Sequence, residues 1–123
     1  LNLGNLYFYR QNGKQDFLKA IEYYELSAKK NNSMALFNLG NIYYNGFGVK
    51  KDYEKALLYY QKANNYGNVR CLVSIGNIFY DGGYGVKQDY SKALENYLLA
   101  AKYNISMAFH NIGVIYYYGK GVE

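Results

Sequence analysis

The stretch Ala35–Ala63, ALFNLGNIYYNGFGVKKDYEKALLYYQKA, contains the pattern that decides the fold. In its first half, Leu39 and Gly40 are followed by an aromatic residue, Tyr43, three positions after the glycine. Its second half contains Asp-Tyr-Glu-Lys-Ala at 52–56. Both motifs recur along the chain in the same order, which indicates internal repetition.

The glycine motif occurs four times, at spacings of 36, 36 and 37 residues. Its copies are Leu3-Gly4…Tyr7, Leu39-Gly40…Tyr43, Ile75-Gly76…Phe79 and Ile112-Gly113…Tyr116. The aspartate motif keeps the same phase at 16–20, 52–56 and 89–93. A fixed period of this size predicts stacked supersecondary units, none of which can bury its apolar face alone. We expect one repeat-array domain with units at about 1–32, 33–68, 69–104 and 105–123.

Apolar residues recur at helical spacing in both halves of each unit. In unit two, the first stripe is Ala35, Leu36, Leu39, Gly40 and Tyr43, and the second is Tyr53, Ala56, Leu57, Tyr60 and Ala63. Each unit should therefore be a pair of helices packed on each other. The sequence predicts an all-α solenoid of three full pairs plus the first helix of a fourth, which makes seven helices and no strand.

Several positions should fix where the helices end and how they pack. A glycine inside a helix costs about 1 kcal/mol relative to alanine, so the motif glycines should lie where the paired helix approaches closely, opposite an alanine. Aspartates at 16, 52 and 89 should cap the second helices at their first turn. Asn31, Gly67 and Asn104 should end those helices in the left-handed conformation.

Composition limits the possible functions. The chain of 123 residues carries a net charge of +5 and contains 18 tyrosines. No apolar run approaches the ~20 residues of a membrane span, so we expect a soluble fragment. The single Cys71 cannot form an internal disulfide, and nothing indicates a disulfide-rich secreted domain. Most of the cationic residues are lysines beside loops, whereas nucleic-acid binders favour arginine for bidentate contacts.

The last predicted helix lacks a second helix to cover it. We expect its side chains at Ala108, Phe109, Ile112 and Tyr116 to be exposed, and the natural protein to continue past Glu123. Flanking repeats or a partner chain would then cover this surface.

The pattern from Ala35 to Ala63 resembles the Sel1-like repeat, a relative of the tetratricopeptide repeat with a longer, glycine-containing loop. The resemblance extends over the whole chain. It implies a right-handed superhelix of antiparallel helix pairs and a role as an adaptor that holds other proteins together. Unit one departs from the pattern, because Arg10 and Asn12 replace the loop glycines Gly46 and Gly48.

In this superfamily the first helices line a concave face, and the resemblance places the off-core positions there. The candidate peptide-binding residues are Asn5, Phe8, Met34, Phe37, Asn41, Tyr44, Arg70, Asn77, Tyr80, His110 and Tyr117. Asn5, Asn41 and Asn77 form one ladder and the aromatic residues a second. An asparagine amide both donates and accepts, which suits bonds to a peptide backbone. The alternative is that the asparagines reflect a composition rich in Asn, Lys and Tyr.

The sequence gives little support to enzyme chemistry. His110 is the only histidine, and no residues have the spacing of a catalytic triad, a metal site or a phosphate loop. Cys71 occupies the core position that alanine takes in two other units, which favours a buried residue over a nucleophile. We expect no enzyme activity, cofactor or metal.

Two functions remain open. The first is a scaffold that binds a protein or peptide segment in a concave groove. The second is a basic surface for nucleic acid or anionic membrane, formed by Lys50, Lys51, Lys87 and the row of Lys19, Lys55 and Lys92. A salt titration separates the two.

Overall fold

The computed structural model describes residues 16–120, which contain six helices. They are α1 (Phe17–Ala28), α2 (Ser33–Asn45), α3 (Tyr53–Asn65), α4 (Cys71–Asp81), α5 (Tyr90–Ala101) and α6 (Ser106–Tyr118). The first of the seven predicted helices, with Asn5 and Phe8, lies outside the described residues. Within 16–120 there is no strand, only an isolated bridge between Gly83 and Val86. The all-α solenoid prediction is confirmed.

Each helix packs on its neighbours in sequence, so the core runs along the array. Three clusters of buried side chains follow one another, and each combines a helix pair with parts of the adjacent pair. One tyrosine from each second helix, Tyr24, Tyr60 and Tyr97, is almost completely buried. These equivalent rings are among the largest side chains of the core.

The motif glycines pack against these tyrosines, and the predicted contact with alanine is wrong. A Cβ added at Gly40 would lie 2.5 Å from the Tyr60 ring, and one at Gly76 would collide with the Tyr97 ring in the same way. Gly113 has open space at the equivalent point among the described residues. Glycine therefore makes room for an aromatic ring in units two and three.

The predicted helix ends are confirmed. The carboxylates of Asp16, Asp52 and Asp89 each accept a hydrogen bond at 3.0 Å from the backbone amide three residues later. Asn31, Gly67 and Asn104 have φ angles of 60°, 103° and 58°. The aspartates therefore cap the start of each second helix, and each left-handed residue follows two or three residues after its end.

The glycine loops, which join the two helices within a unit, contact the preceding unit. Gly48 lies against Phe17, the first residue of α1, with no room for a side chain between them. In the next loop, the Tyr84 carbonyl accepts a hydrogen bond at 3.0 Å from the amide of Tyr53, the first residue of α3. Each loop therefore holds the start of the preceding unit's second helix.

The core stripes are largely as predicted, but several residues differ. Ile42 is fully buried although it lies outside the predicted stripe of α2, and Val73 on α4 is also buried in the core. On α6, Phe109 and Tyr116 are exposed as predicted. The prediction for Ala108 is wrong, because this residue is completely buried between α5 and α6, and Ile112 is only partly exposed, because it packs against the same cluster.

Candidate functional site

The first helices α2, α4 and α6 share a surface that we call the first-helix face. The described candidate residues on it are Met34, Phe37, Asn41, Tyr44, Arg70, Asn77, Tyr80, His110 and Tyr117. Among the side chains of α2, α4 and α6, Asp81 is the only aspartate, glutamate, lysine or arginine. This face is therefore built mainly from aromatic and amide side chains.

In unit two, three candidates converge on the buried ring of Tyr60. The Phe37 and Tyr44 rings lie 5.9 and 6.5 Å from it, measured between centroids. The Tyr60 hydroxyl donates a hydrogen bond of 2.6 Å to Oδ1 of Asn41. Asn41 thus has a structural bond to the second helix, which the off-core position had not suggested.

Unit three repeats this arrangement around Asn77. The Tyr97 hydroxyl donates to Oδ1 of Asn77 at 2.5 Å, and Nδ2 of Asn111 donates to the same oxygen at 3.3 Å. Tyr80 joins these residues in a cleft of about 170 Å³, with Val114 as a further wall. Asn77 consequently links α4 to α5 within its unit and to α6 of the next.

The amide nitrogens remain available on this face. Because Oδ1 of each asparagine accepts a tyrosine hydroxyl, the carboxamide is held in one orientation. Neither Asn41 Nδ2 nor Asn77 Nδ2 donates to another residue between 16 and 120. The face therefore presents hydrogen-bond donors at the same place in two successive units.

The other candidates are not gathered at this place. Met34, Arg70 and His110 are exposed without joining the clusters around Tyr60 or Tyr97. Tyr117 is 83% exposed, and its ring packs edge-on against Tyr118. None of these four residues lines the cleft around Asn77.

Sequence reasoning missed four residues of this site. Tyr60, Tyr97 and Asn111 complete the asparagine clusters, and Tyr53 stacks on Tyr44 with centroids 5.0 Å apart. The sequence contains a signal for the tyrosines, because the second helix of each unit has a tyrosine at the same position, namely Tyr24, Tyr60 and Tyr97. A buried hydroxyl requires a hydrogen-bond partner, and the asparagine ladder was the nearest row of polar side chains.

Tyrosine ionisation reflects this packing. Burial, and next the negative charge of Asp81, raise the pKa of Tyr44 to about 12. Burial also raises the pKa of Tyr60 and that of Tyr97. The hydroxyls that face the asparagines therefore stay protonated as donors.

Two lysines of the alternative basic surface pack against aromatic rings of their own unit. Lys55 Nζ sits 4.8 Å from the ring centroid of Tyr43, and Lys92 Nζ sits 5.3 Å from that of Phe79. Both are motif lysines whose ammonium groups cover the aromatic residue of the paired first helix. They contribute to packing through cation–π contact.

Larger clefts lie on the opposite side, between successive second helices. One of about 500 Å³ includes Glu25, Leu26 and Tyr59, and one of about 490 Å³ includes Asn65, Leu72 and Glu95. Both are lined by acidic and basic side chains together. These clefts form a second surface that could compete with the first-helix face as the binding site, so experiments must distinguish the two.

Between residues 16 and 120 no three His, Cys, Asp or Glu side chains form a cluster that would hold a metal ion. No described helix is long and apolar enough to span a membrane. Burial raises the pKa of the Cys71 thiol to about 12, which disfavours the nucleophilic thiolate.

Solved structures with the same fold include three with recognisable sequence similarity. A Sel1 repeat protein from Oxalobacter formigenes is 30% identical over 98% of this chain, with a TM-score of 0.84. The protective antigen c5321 of uropathogenic Escherichia coli, which displays an SLR fold, is 29% identical over 94%, with a TM-score of 0.83. Helicobacter pylori cysteine rich protein B is 27% identical over 81%, with a TM-score of 0.67.

These proteins differ from the chain in extent. The chain spans 49% of the Oxalobacter protein, 25% of c5321 and 74% of the Helicobacter protein. None of the curated proteins matches its sequence significantly. The Sel1 repeat family model matches residues 1–32, 33–68, 70–102 and 106–123. With the glycine and aspartate motifs in phase and the helix pairs in place, the chain belongs to the Sel1 repeat family.

Proposed function

We propose that this protein is an interaction scaffold that binds an extended segment of another protein on the first-helix face. Sel1 repeat proteins are generally scaffolds for protein interactions rather than enzymes. The observation that carries the proposal is the paired orientation of Asn41 and Asn77. Each has its carbonyl oxygen bonded to a buried tyrosine and its amide nitrogen free of bonds to the described residues.

The spacing of the units suits an extended ligand. Neighbouring helices pack ~8–10 Å apart, and three residues of extended chain cover about 10 Å. A peptide lying across the first helices would thus bring a carbonyl oxygen to successive asparagine amides. The exposed edges of Tyr44 and Tyr80 beside them would supply amphipathic contact area of the kind enriched in protein interfaces.

The first-helix face is a better candidate than the lysine surface for two reasons. Its residues form clefts and fixed donors, whereas Lys55 and Lys92 are engaged with aromatic rings of their own unit. Electrostatic attraction alone also lacks the directional groups that select a partner. Binding by the first-helix face should therefore depend little on salt.

Affinity capture with matched variants tests the proposal. Protein bound by the wild-type chain should be reduced by Asn77→Ala and retained by Asn65→Ala, which makes the same substitution in a cleft of the opposite surface. Thermal melts of both variants show whether they are folded. Tyr97→Phe keeps the Asn77 amide and serves as a second check on stability. If Asn65→Ala alone reduces capture, the partner binds between the second helices and the proposal is wrong.

A further inference from the structure

Asp81 is the only aspartate, glutamate, lysine or arginine within the helices α2, α4 and α6. It is the last residue of α4 and is exposed. After burial, the charge of its carboxylate is the next cause that raises the pKa of Tyr44, Tyr53 and Tyr97, which come from three different helices. No residue between 16 and 120 forms an ion pair with it. Its carboxylate therefore has no ion-pair partner among the described residues, although the Lys51 ammonium lies over the nearby Tyr84 ring.

Three tyrosine rings form a continuous cluster beside this carboxylate. Tyr44 and Tyr53 are stacked at 5.0 Å, and Tyr84 packs edge-on against Tyr53 at 4.9 Å. The rings come from α2, α3 and the loop after α4, so the cluster bridges units two and three. We call Asp81, Tyr44, Tyr53 and Tyr84 the acidic tyrosine cluster.

The loop holds Tyr84 in place at a conformational cost. Tyr84 has a φ angle of 52°, which is rare for a side-chain-bearing residue. Two backbone hydrogen bonds between Gly83 and Val86, at 2.7 and 3.1 Å, close the turn around it. The bond from the Tyr53 amide to the Tyr84 carbonyl fixes the turn against α3. The half-exposed ring is thus positioned before any ligand arrives.

The chemistry of the cluster favours a cation. The face of a tyrosine ring attracts an ammonium or guanidinium group, and a carboxylate forms a charge-assisted hydrogen bond with it. Tyr84 already lies under a cation, since Lys51 Nζ is 5.3 Å from its centroid. The overall charge of +5 does not prevent this, because charges beyond about 8 Å are largely screened at physiological salt.

We propose that the acidic tyrosine cluster is a subsite for a lysine or arginine side chain of the bound protein segment. The inference rests on the proposed function and adds the chemistry of the ligand. Asn41 and Asn77 lie in the two units that the cluster joins. A segment bound by both asparagines would pass over the acidic tyrosine cluster. A basic side chain of that segment, directed towards the protein, would reach Asp81.

A small probe tests the subsite without a partner. Titration of the chain with n-butylguanidinium, followed by amide NMR, should shift the signals of Asp81 and the 82–86 turn more than n-butanol does. Asp81→Asn should weaken the response at least about threefold, the scale of an exposed ion pair with an aromatic contact. Glu95→Gln, the same loss of charge on the opposite surface, should leave it unchanged. Equal responses of wild type and Asp81→Asn would overturn the subsite.

A second variant guards against a change in folding. Tyr84→Gly removes the ring and relieves the positive φ angle, so this variant should remain folded while the response to the probe falls. An unchanged response in a folded Tyr84→Gly variant would contradict the role of the ring.

Capture experiments separate the two proposals. If Asn77→Ala loses the captured protein and Asp81→Asn retains it fully, the first-helix face binds the partner and the cationic subsite is wrong. If both variants retain it, the site on the first-helix face is wrong. Loss of capture in both, with Glu95→Gln unaffected, supports both proposals.

Discussion

The hydroxyl of Tyr97 donates to Oδ1 of Asn77 at 2.5 Å, and the same bond joins Tyr60 to Asn41 one unit earlier. A core residue of the second helix therefore determines how an amide on the first-helix face is oriented. Stability and recognition are coupled at these positions, because the ring that fills the space over Gly76 also holds the asparagine.

The first prediction concerns this coupling. Asn77→Ala leaves the buried Tyr97 hydroxyl without its acceptor and should destabilise the chain by about 1–3 kcal/mol. The double variant with Tyr97→Phe should lose less stability than the two single changes together, because no polar group is then stranded. Chemical unfolding of the four proteins measures this difference. Strict additivity would mean that the hydrogen bond contributes nothing to stability.

The second prediction compares equivalent glycines. Gly40→Ala forces its Cβ against the Tyr60 ring and should destabilise by about 1–3 kcal/mol. Gly113→Ala meets open space, and should stabilise α6 by up to ~1 kcal/mol through the higher helix propensity of alanine. Melting temperatures should therefore move in opposite directions. A loss of stability in both variants would show that an aromatic ring also covers Gly113.

The third prediction concerns alkaline pH. The pKa of Tyr44 and that of Tyr59 are both raised to about 12 from 10.0, by burial first and then by the carboxylates of Asp81 and Glu25. The folded state holds these protons more tightly than the unfolded state. The resulting stability is complete below pH 10 and is lost as pH rises towards 12. Unfolding followed by circular dichroism should become easier in this window.

Tyr59→Phe provides the control for that prediction. The variant lacks one of the raised groups, so its stability should fall less steeply between pH 10 and 12 than that of the wild type. Tyrosinate absorbance should show one fewer late-titrating group. Parallel stability curves for both proteins would contradict the raised pKa of Tyr59.

The fourth prediction separates the proposed scaffold from the alternative basic surface. A captured protein bound through amides and tyrosines should lose little affinity between ~50 and ~200 mM salt, whereas 6–10 phosphate contacts lose about a thousandfold or more. Binding isotherms at several salt concentrations give the slope. A steep slope would favour the lysines at 50, 51 and 87.

Much of the fold could be predicted from the sequence, because each local pattern is compatible with only one kind of structure. The aspartates at 52 and 89 had to cap helices, and the 36-residue period required stacked pairs. The partner of Gly40 could not be predicted, since both Ala56 and Tyr60 lie on the facing stripe. Only the register of the two helices decides that the ring of Tyr60 covers the glycine.

The site was less accessible to sequence reasoning. Helical spacing predicts that Asn41 and Asn77 lie away from the core stripe. It does not predict the hydrogen bonds that these two residues accept from buried tyrosines. Those bonds join residues 19 and 20 positions apart on different helices. The acidic tyrosine cluster combines three helices and a loop, and no periodic pattern connects such residues.

Site-specific photo-crosslinking tests the central claim most directly. A benzoylphenylalanine is placed at Met34, exposed on α2 of the first-helix face, or at Leu58, exposed on α3. The captured protein should crosslink through position 34 and not through position 58. Crosslinking through position 58 alone, or equally through both, would contradict binding on the first-helix face.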